Sequence, residues 1–161
     1  PMPPSEPDFL PLNGTDHVEF WTGNARQAAH YYRTAFGFRL IAYRGPETGV
    51  RDRASYLLQQ GEIRFVLTTA LRPDSTIADH VHRHGDGVRD LALCVDDARG
   101  AYEVALERGA RSAAPPQVLH DADGEVVIAA IEIYGETIHS LVEPRNYEGL
   151  FMAGFEAVTA H

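Results

Sequence analysis

The sequence predicts an α+β fold in which two βαβββ modules share one curved, mixed sheet. Three observations lead there. The element order read from hydrophobic periodicity runs βαβββ twice, residues 14–35 align over residues 87–108 without a gap, and a glycine ends the helix in each half. In that alignment Ala25-Arg26 lies over Ala98-Arg99 and Ala28 over Ala101, while Gly37 meets Gly109 after a one-residue adjustment. A duplication accounts for the length, the caps and the order together. Chance similarity of two amphipathic βα units accounts for the order alone.

In the first half, Val18, Phe20 and Trp21 make a short β-prone run from Thr15 to Trp21, which the turn pair Gly23-Asn24 ends. Asn24 is a good helix N-cap with Gln27 three residues on, and Ala28, Tyr31, Tyr32 and Ala35 follow at helical spacing up to Gly37. Three further β-like runs span Phe38 to Tyr43, Ala54 to Gln59 and Ile63 to Thr69. A short polar helix from Thr76 to His84 then meets the breaker Gly85-Asp86-Gly87.

The pattern restarts there. Val88 to Val95 reads as a strand, Asp96 or Asp97 as an N-cap, and Ala98 to Arg108 as a helix with Ala101, Val104 and Ala105 on one face, ended by Gly109. Strands are expected at Arg111 to Ala114, Val126 to Ile133 and Thr137 to Val142, with Asp121-Ala122-Asp123-Gly124 as a hairpin turn and Tyr134-Gly135 as the last turn. The domain is therefore expected over 14–145, its modules over about 14–70 and 87–143. A Pro-rich, disordered or extended lead-in occupies 1–13, and 146–161 opens an interdomain linker.

At 161 residues the chain can bury a core without staples, and 44% apolar with 23% charged residues is an ordinary globular composition. No stretch approaches the roughly 20 apolar residues of a membrane span. A formal charge of −9 with scattered arginines repels a phosphate backbone, which argues against a nucleic-acid partner. The single cysteine, Cys94, sits in the apolar run 91–95 and reads as a buried thiol. The first residues show neither the basic region nor the apolar core of a secretory signal, so a cytoplasmic location is expected.

Two such modules side by side leave a concave face suited to a small ligand or a metal. Oxygen chemistry at a divalent metal there needs two imidazoles and a carboxylate on one face, with positions left open. His17 on the first strand stands where a first ligand belongs, but its counterpart in the second module is Asp90, and the last strand offers Ser140 at the third position. A serine hydroxyl is a poor iron ligand, and His139 points away from Ser140 because strand side chains alternate. In the run His80, His82, His84, only His80 and His84 share a helix face; their spacing suits zinc, yet a solvated surface helix is the expectation. The Asp121–Gly124 turn lacks the ligands of a calcium loop, and no phosphate loop, nucleophile elbow or paired-cysteine motif is present. No complete metal site and no catalytic residue are expected in this chain.

Four segments stand out together: residues 23–32 with Thr34-Ala35-Phe36-Gly37, Ala78-Asp79-His80-Val81 through His84-Gly85-Asp86-Gly87-Val88, Arg64 to Thr68, and Glu107 to Ser112. They resemble the N-terminal domain of bacterial 4-hydroxyphenylpyruvate dioxygenases, of the vicinal-oxygen-chelate, or glyoxalase/bleomycin-resistance, superfamily. Tyr147-Glu148-Gly149 and Ala153-Gly154-Phe155 are similar to the family's entry into its interdomain linker. The resemblance covers about Gly14 to Phe155 and implies a vicinal-oxygen-chelate, glyoxalase-like fold. It implies an Fe(II) enzyme that decarboxylates 4-hydroxyphenylpyruvate, inserts oxygen and yields homogentisate in tyrosine catabolism. The iron triad belongs to the family's C-terminal catalytic domain, so His17, Asp90 and Ser140 match the metal-free half, and that domain of the same polypeptide is the implied partner, in a homo-oligomer. Alone, the chain would be inactive and hold no cofactor. Hydroxymandelate synthases share the two-domain plan and substrate. A free-standing module binding an aromatic or antibiotic ligand near Trp21, Tyr56 and Phe65 is the other reading, and an independent glyoxalase or extradiol metalloenzyme lacks the ligands it needs.

Overall fold

The computed structural model describes residues 8–158. Strand β1 (Thr15–Trp21) leads into helix α1 (Ala25–Phe36), which begins because Asn24 Oδ1 accepts the Gln27 amide at 3.0 Å. It ends because Gly37, at φ +79°, turns back to donate to the Arg33 carbonyl. Strands β2 (Arg39–Arg44), β3 (Arg53–Gln60) and β4 (Ile63–Ala70) complete the first module. Helix α2 (Thr76–His84), capped by Ser75, connects to the second module. That module repeats the order as β5 (Gly87–Cys94), α3 (Ala98–Glu107), β6 (Arg111–Asp121), β7 (Gly124–Glu132) and β8 (Ile138–Arg145). A two-residue strand β9 (Glu156–Ala157) follows.

Among the described residues all nine strands form one sheet, in the order β6-β7-β8-β5-β1-β4-β3-β2-β9. The two halves mirror each other about its centre. β1 pairs parallel with β4 and β5 parallel with β8, while β1 and β5 join the modules antiparallel. The sheet is therefore mixed, as the repeated element order predicts. Strand β6 runs on to Asp121 instead of stopping at Ala114. Pro115 and Pro116 are tolerated because β6 is an edge strand, and its register against β7 slips between Ala114 and Gln117, where the prolines lack amide donors.

Helices α1 and α3 pack on the outer face, chiefly through alanines. Ala25 and Ala29 set α1 over Phe38, Leu58 and Leu67, and Ala98, Tyr102 and Ala105 set α3 against Val95, Val127, Ala129 and Leu141. Tyr102, which the expected Ala101, Val104, Ala105 face omits, is buried with its hydroxyl donating to Ser112. On the inner face Ala42, Leu57, Val66, Ala92, Val126 and Val142 form a third cluster. Residues 146–155 fold back onto it, burying Phe151 and Met152, and β9 then pairs with β2. The segment expected to open a linker thus supplies part of the core. Of the expected lead-in 1–13, residues 1–7 lie outside the described residues. Asn13 within it is held by the Cys94 carbonyl and Asp96.

Candidate functional site

His17, Glu19 and Trp21 alternate onto the inner face of β1, and across the ladder His17 stands opposite Ala92 and Glu19 opposite Asp90. Asp90 and Ser140 meet directly: the Ser140 amide donates to Asp90 Oδ1 at 2.9 Å, and its hydroxyl donates to Oδ2. Both are buried. His17 takes no part in this pair, since its Nδ1 lies 2.8 Å from Asp16 Oδ2 and its ring meets the edge of Phe151 at 4.9 Å. The three positions singled out in the sequence therefore share one face, and each already has a partner there. They do not fit an iron ion: one carboxylate is occupied by a hydroxyl and an amide, one position is that hydroxyl, and the imidazole is covered by a phenyl ring.

Beside its apolar cluster the inner face carries a polar patch that is largely self-satisfied. Glu19 accepts from Trp21 Nε1 and Thr68 Oγ1, each at 3.0 Å, and Thr68 Oγ1 lies 2.8 Å from Ser55 Oγ. Arg44 reaches in from β2 with its guanidinium over Phe155. Burial pushes its pKa down, against the opposing charge of Glu19, and among the described residues its Nε has no hydrogen-bond partner. Sequence reading missed Glu19 and Arg44, although strand alternation from His17 and Ala42 places both on this face.

A second cluster lies at the end of the sheet, beneath α2. His80 and His84, one turn apart, present their rings 4.8 Å from each other. Glu136, in the turn between β7 and β8, sets Oε2 3.0 Å from His80 Nδ1 and 3.1 Å from His84 Nε2. Arg83 holds the other carboxylate oxygen and, from the same guanidinium, Asp79. Its hydrogen bond keeps the Glu136 carboxyl below the ordinary range, with His80 adding to the effect. His80 is 6% exposed and packs edge-on against Trp21, which corrects the expectation of a solvated helix face for it, while His82 and His84 are exposed as expected. Glu136 was missed because it lies 52 residues from His84, in a turn with no local signal. The parallel placement of β8 beside β5, implicit in the duplication, was the clue.

The other candidates scatter. Trp21 faces the inner side, but Phe65 and Tyr56 pack beneath α1 on the outer side, so these three aromatics do not line one pocket. His139, facing away from Ser140 as strand alternation requires, donates to the Leu91 carbonyl. Cys94 is part-buried, with burial and the carboxylates of Asp16 and Asp96 pushing its thiol up.

Comparison with known proteins places the chain in a family. Residues 8–156 match the family described as "Hydroxyphenylpyruvate dioxygenase, HPPD, N-terminal". The chain belongs to this family. It is 44% identical to a 4-hydroxyphenylpyruvate dioxygenase of Pyricularia oryzae over 93% of this chain and 40% of that protein. Against a 4-hydroxyphenylpyruvate dioxygenase of Yarrowia lipolytica it is 43% identical, over 92% of this chain and 39% of the relative. The chain thus spans about 40% of the length of the curated relatives it matches. Among solved structures, a mutant of 4-hydroxymandelate synthase from Streptomyces coelicolor superposes with a TM-score of 0.83 at 31% identity, over 92% of this chain and 43% of that one. Methylmalonyl-CoA epimerase from Mycobacterium tuberculosis, at 19% identity and a TM-score of 0.67 over 89% of this chain and 94% of its own, shares the fold. The vicinal-oxygen-chelate architecture is therefore that of this hydroxyphenylpyruvate dioxygenase N-terminal domain. Among its described residues no helix is long and apolar enough to cross a membrane.

Proposed function

We propose that this chain is the N-terminal, iron-free domain of a 4-hydroxyphenylpyruvate dioxygenase-like Fe(II) enzyme, which converts 4-hydroxyphenylpyruvate to homogentisate in tyrosine catabolism. In this reading the iron and its open positions belong to a C-terminal domain of the same polypeptide. The observation that carries it is the closed Asp90–Ser140 pair beside a Phe151-covered His17, which leaves the inner face built for packing. The N-terminal domain acts as scaffold. The outer face of α1 carries Tyr31 and Phe36, 57% and 54% exposed with rings 5.9 Å apart, an aromatic surface suited to cover by a partner domain. A homo-oligomeric, cytoplasmic enzyme completes the proposal, and sedimentation of the two-domain protein tests the assembly.

The test is a fusion of this chain to the C-terminal half of a 4-hydroxyphenylpyruvate dioxygenase. Fe(II)-dependent oxygen uptake with homogentisate as product is expected, and Asp90→Ala or Ser140→Ala in the fusion lowers thermal stability while leaving kcat/KM per folded molecule within a few-fold. A loss of kcat at unchanged stability would overturn the scaffold reading. A hydroxymandelate synthase half is the second reading, favoured by the structural likeness to that enzyme. Fusing a C-terminal half from each family in turn distinguishes them: the product follows the partner half, and the native type of partner is expected to give the clearly higher turnover.

A further inference from the structure

The His80, His84 and Glu136 cluster adjoins the inner face at Trp21 and plays no part in the proposed function. Among the described residues, these three side chains bring one ligand atom each within 4.8 Å of one another. A tetrahedral ion with bonds of about 2.0–2.2 Å holds neighbouring ligand atoms roughly 3.4 Å apart. The two imidazole-to-carboxylate separations, 3.0 and 3.1 Å, are already close to that spacing. We propose that His80, His84 and Glu136 form a binding site for a divalent transition metal of the zinc class, clipping the inter-module helix α2 to the β7–β8 turn.

Four further observations point the same way. His80 cannot swing out, because it is buried against Trp21. Arg83 takes one oxygen of Glu136 and leaves Oε2 to the two imidazoles, so the carboxylate is oriented by a neighbour, as second-shell groups orient metal ligands. Arg89, stacked on Trp21, donates to the Glu136 carbonyl and fixes the turn from the other side. A cavity of about 350 Å³ lined by Trp21, Asp79, His80, Arg83, Arg89 and Glu136 opens beside the cluster. Water or a small anionic ligand can take the fourth position from that side. Two imidazoles and a carboxylate with such an open position suit zinc, cobalt or nickel better than calcium or magnesium, which take all-oxygen shells. Arg83 also places a positive charge beside the ion, so the affinity is lower than that of an all-cysteine structural site.

The deciding experiment is calorimetric titration of the chelator-stripped 161-residue chain with zinc alone, paired with cobalt(II) absorption, which reports tetrahedral coordination. One stoichiometric site is expected, with an intense tetrahedral cobalt spectrum and a zinc-dependent rise in Tm. His84→Ala and Glu136→Gln weaken binding by more than about 10-fold; His84 is exposed and Glu136 only part-buried, so the chain still folds if His80→Ala does not. His82→Ala, on the other face of α2, leaves affinity and spectrum unchanged. Absence of stoichiometric binding, an octahedral cobalt spectrum, or affinity that survives Glu136→Gln or falls equally with His82→Ala overturns the proposal, the last two marking surface-histidine binding.

Discussion

Ser140 gives both its amide and its hydroxyl to the carboxylate of Asp90, so two residues at positions suited to metal ligands are consumed by each other. Ser140→Ala removes one donor from a buried carboxylate. It is expected to cost about 1–3 kcal/mol, a fall in Tm of about 2–4 °C per kcal/mol for a chain of this size. Asp90→Asn keeps an acceptor for the amide and loses less than Asp90→Ala. Thermal denaturation of the three variants checks the order.

Phe151 closes the inner face over His17, at 8% exposure within the central cluster. Phe151→Ala is expected to destabilise by about 3–5 kcal/mol and to speed acylation of His17 by diethylpyrocarbonate, read by peptide mapping. Unchanged His17 reactivity in a folded variant would show that the ring does not cover the histidine.

The β6–β7 turn and the returning segment are tied at one glycine. Gly124 has φ +129°, and a Cβ there would run into the backbone carbonyl of Asn146. Gly14 has φ +95° with open space around the same position. Both alanine variants carry the backbone strain, expected to exceed about 1 kcal/mol, and only Gly124→Ala adds the clash. Denaturant titration should therefore place Gly124→Ala well below Gly14→Ala. Equal losses would mean the segment after β8 yields freely.

Much of this was legible in the sequence. The alignment of Ala25-Arg26 on Ala98-Arg99, with glycines closing each helix, carried the module order and the mixed sheet, because local caps and periodicity are written in adjacent residues. Asn24 and Asp97 cap as expected. What the sequence left open lies in contacts between distant segments. Phe151 and Met152 read as linker until the chain folds back on the sheet, and Glu136 gains its meaning from a helix more than 50 residues earlier. The length of β6 was hidden by Pro115 and Pro116, which only its edge position permits.

The tyrosines offer a pH test. Burial and the hydrogen bond to Asp121 push Tyr147 up to about 12, and burial with Glu47 pushes Tyr43 up further. A phenol whose folded pKa is raised contributes stability that is whole below its unfolded value, about 10, and is lost as pH rises through the folded value. Phenolate absorbance should thus show late-titrating groups, one of which disappears in Tyr147→Phe. The stability difference between wild type and Tyr147→Phe should shrink between pH 10 and 12. A Tyr147 that titrates with the unfolded chain would contradict the Asp121 contact.

The central claim is that the inner face of this domain packs and supports but does not activate oxygen. The most direct measurement is an oxygen-electrode assay on the purified chain with Fe(II), ascorbate and 4-hydroxyphenylpyruvate. No substrate-dependent uptake above the iron-ascorbate background is expected, in wild type and His17→Ala alike. Sustained, substrate-dependent consumption that His17→Ala abolishes would contradict it.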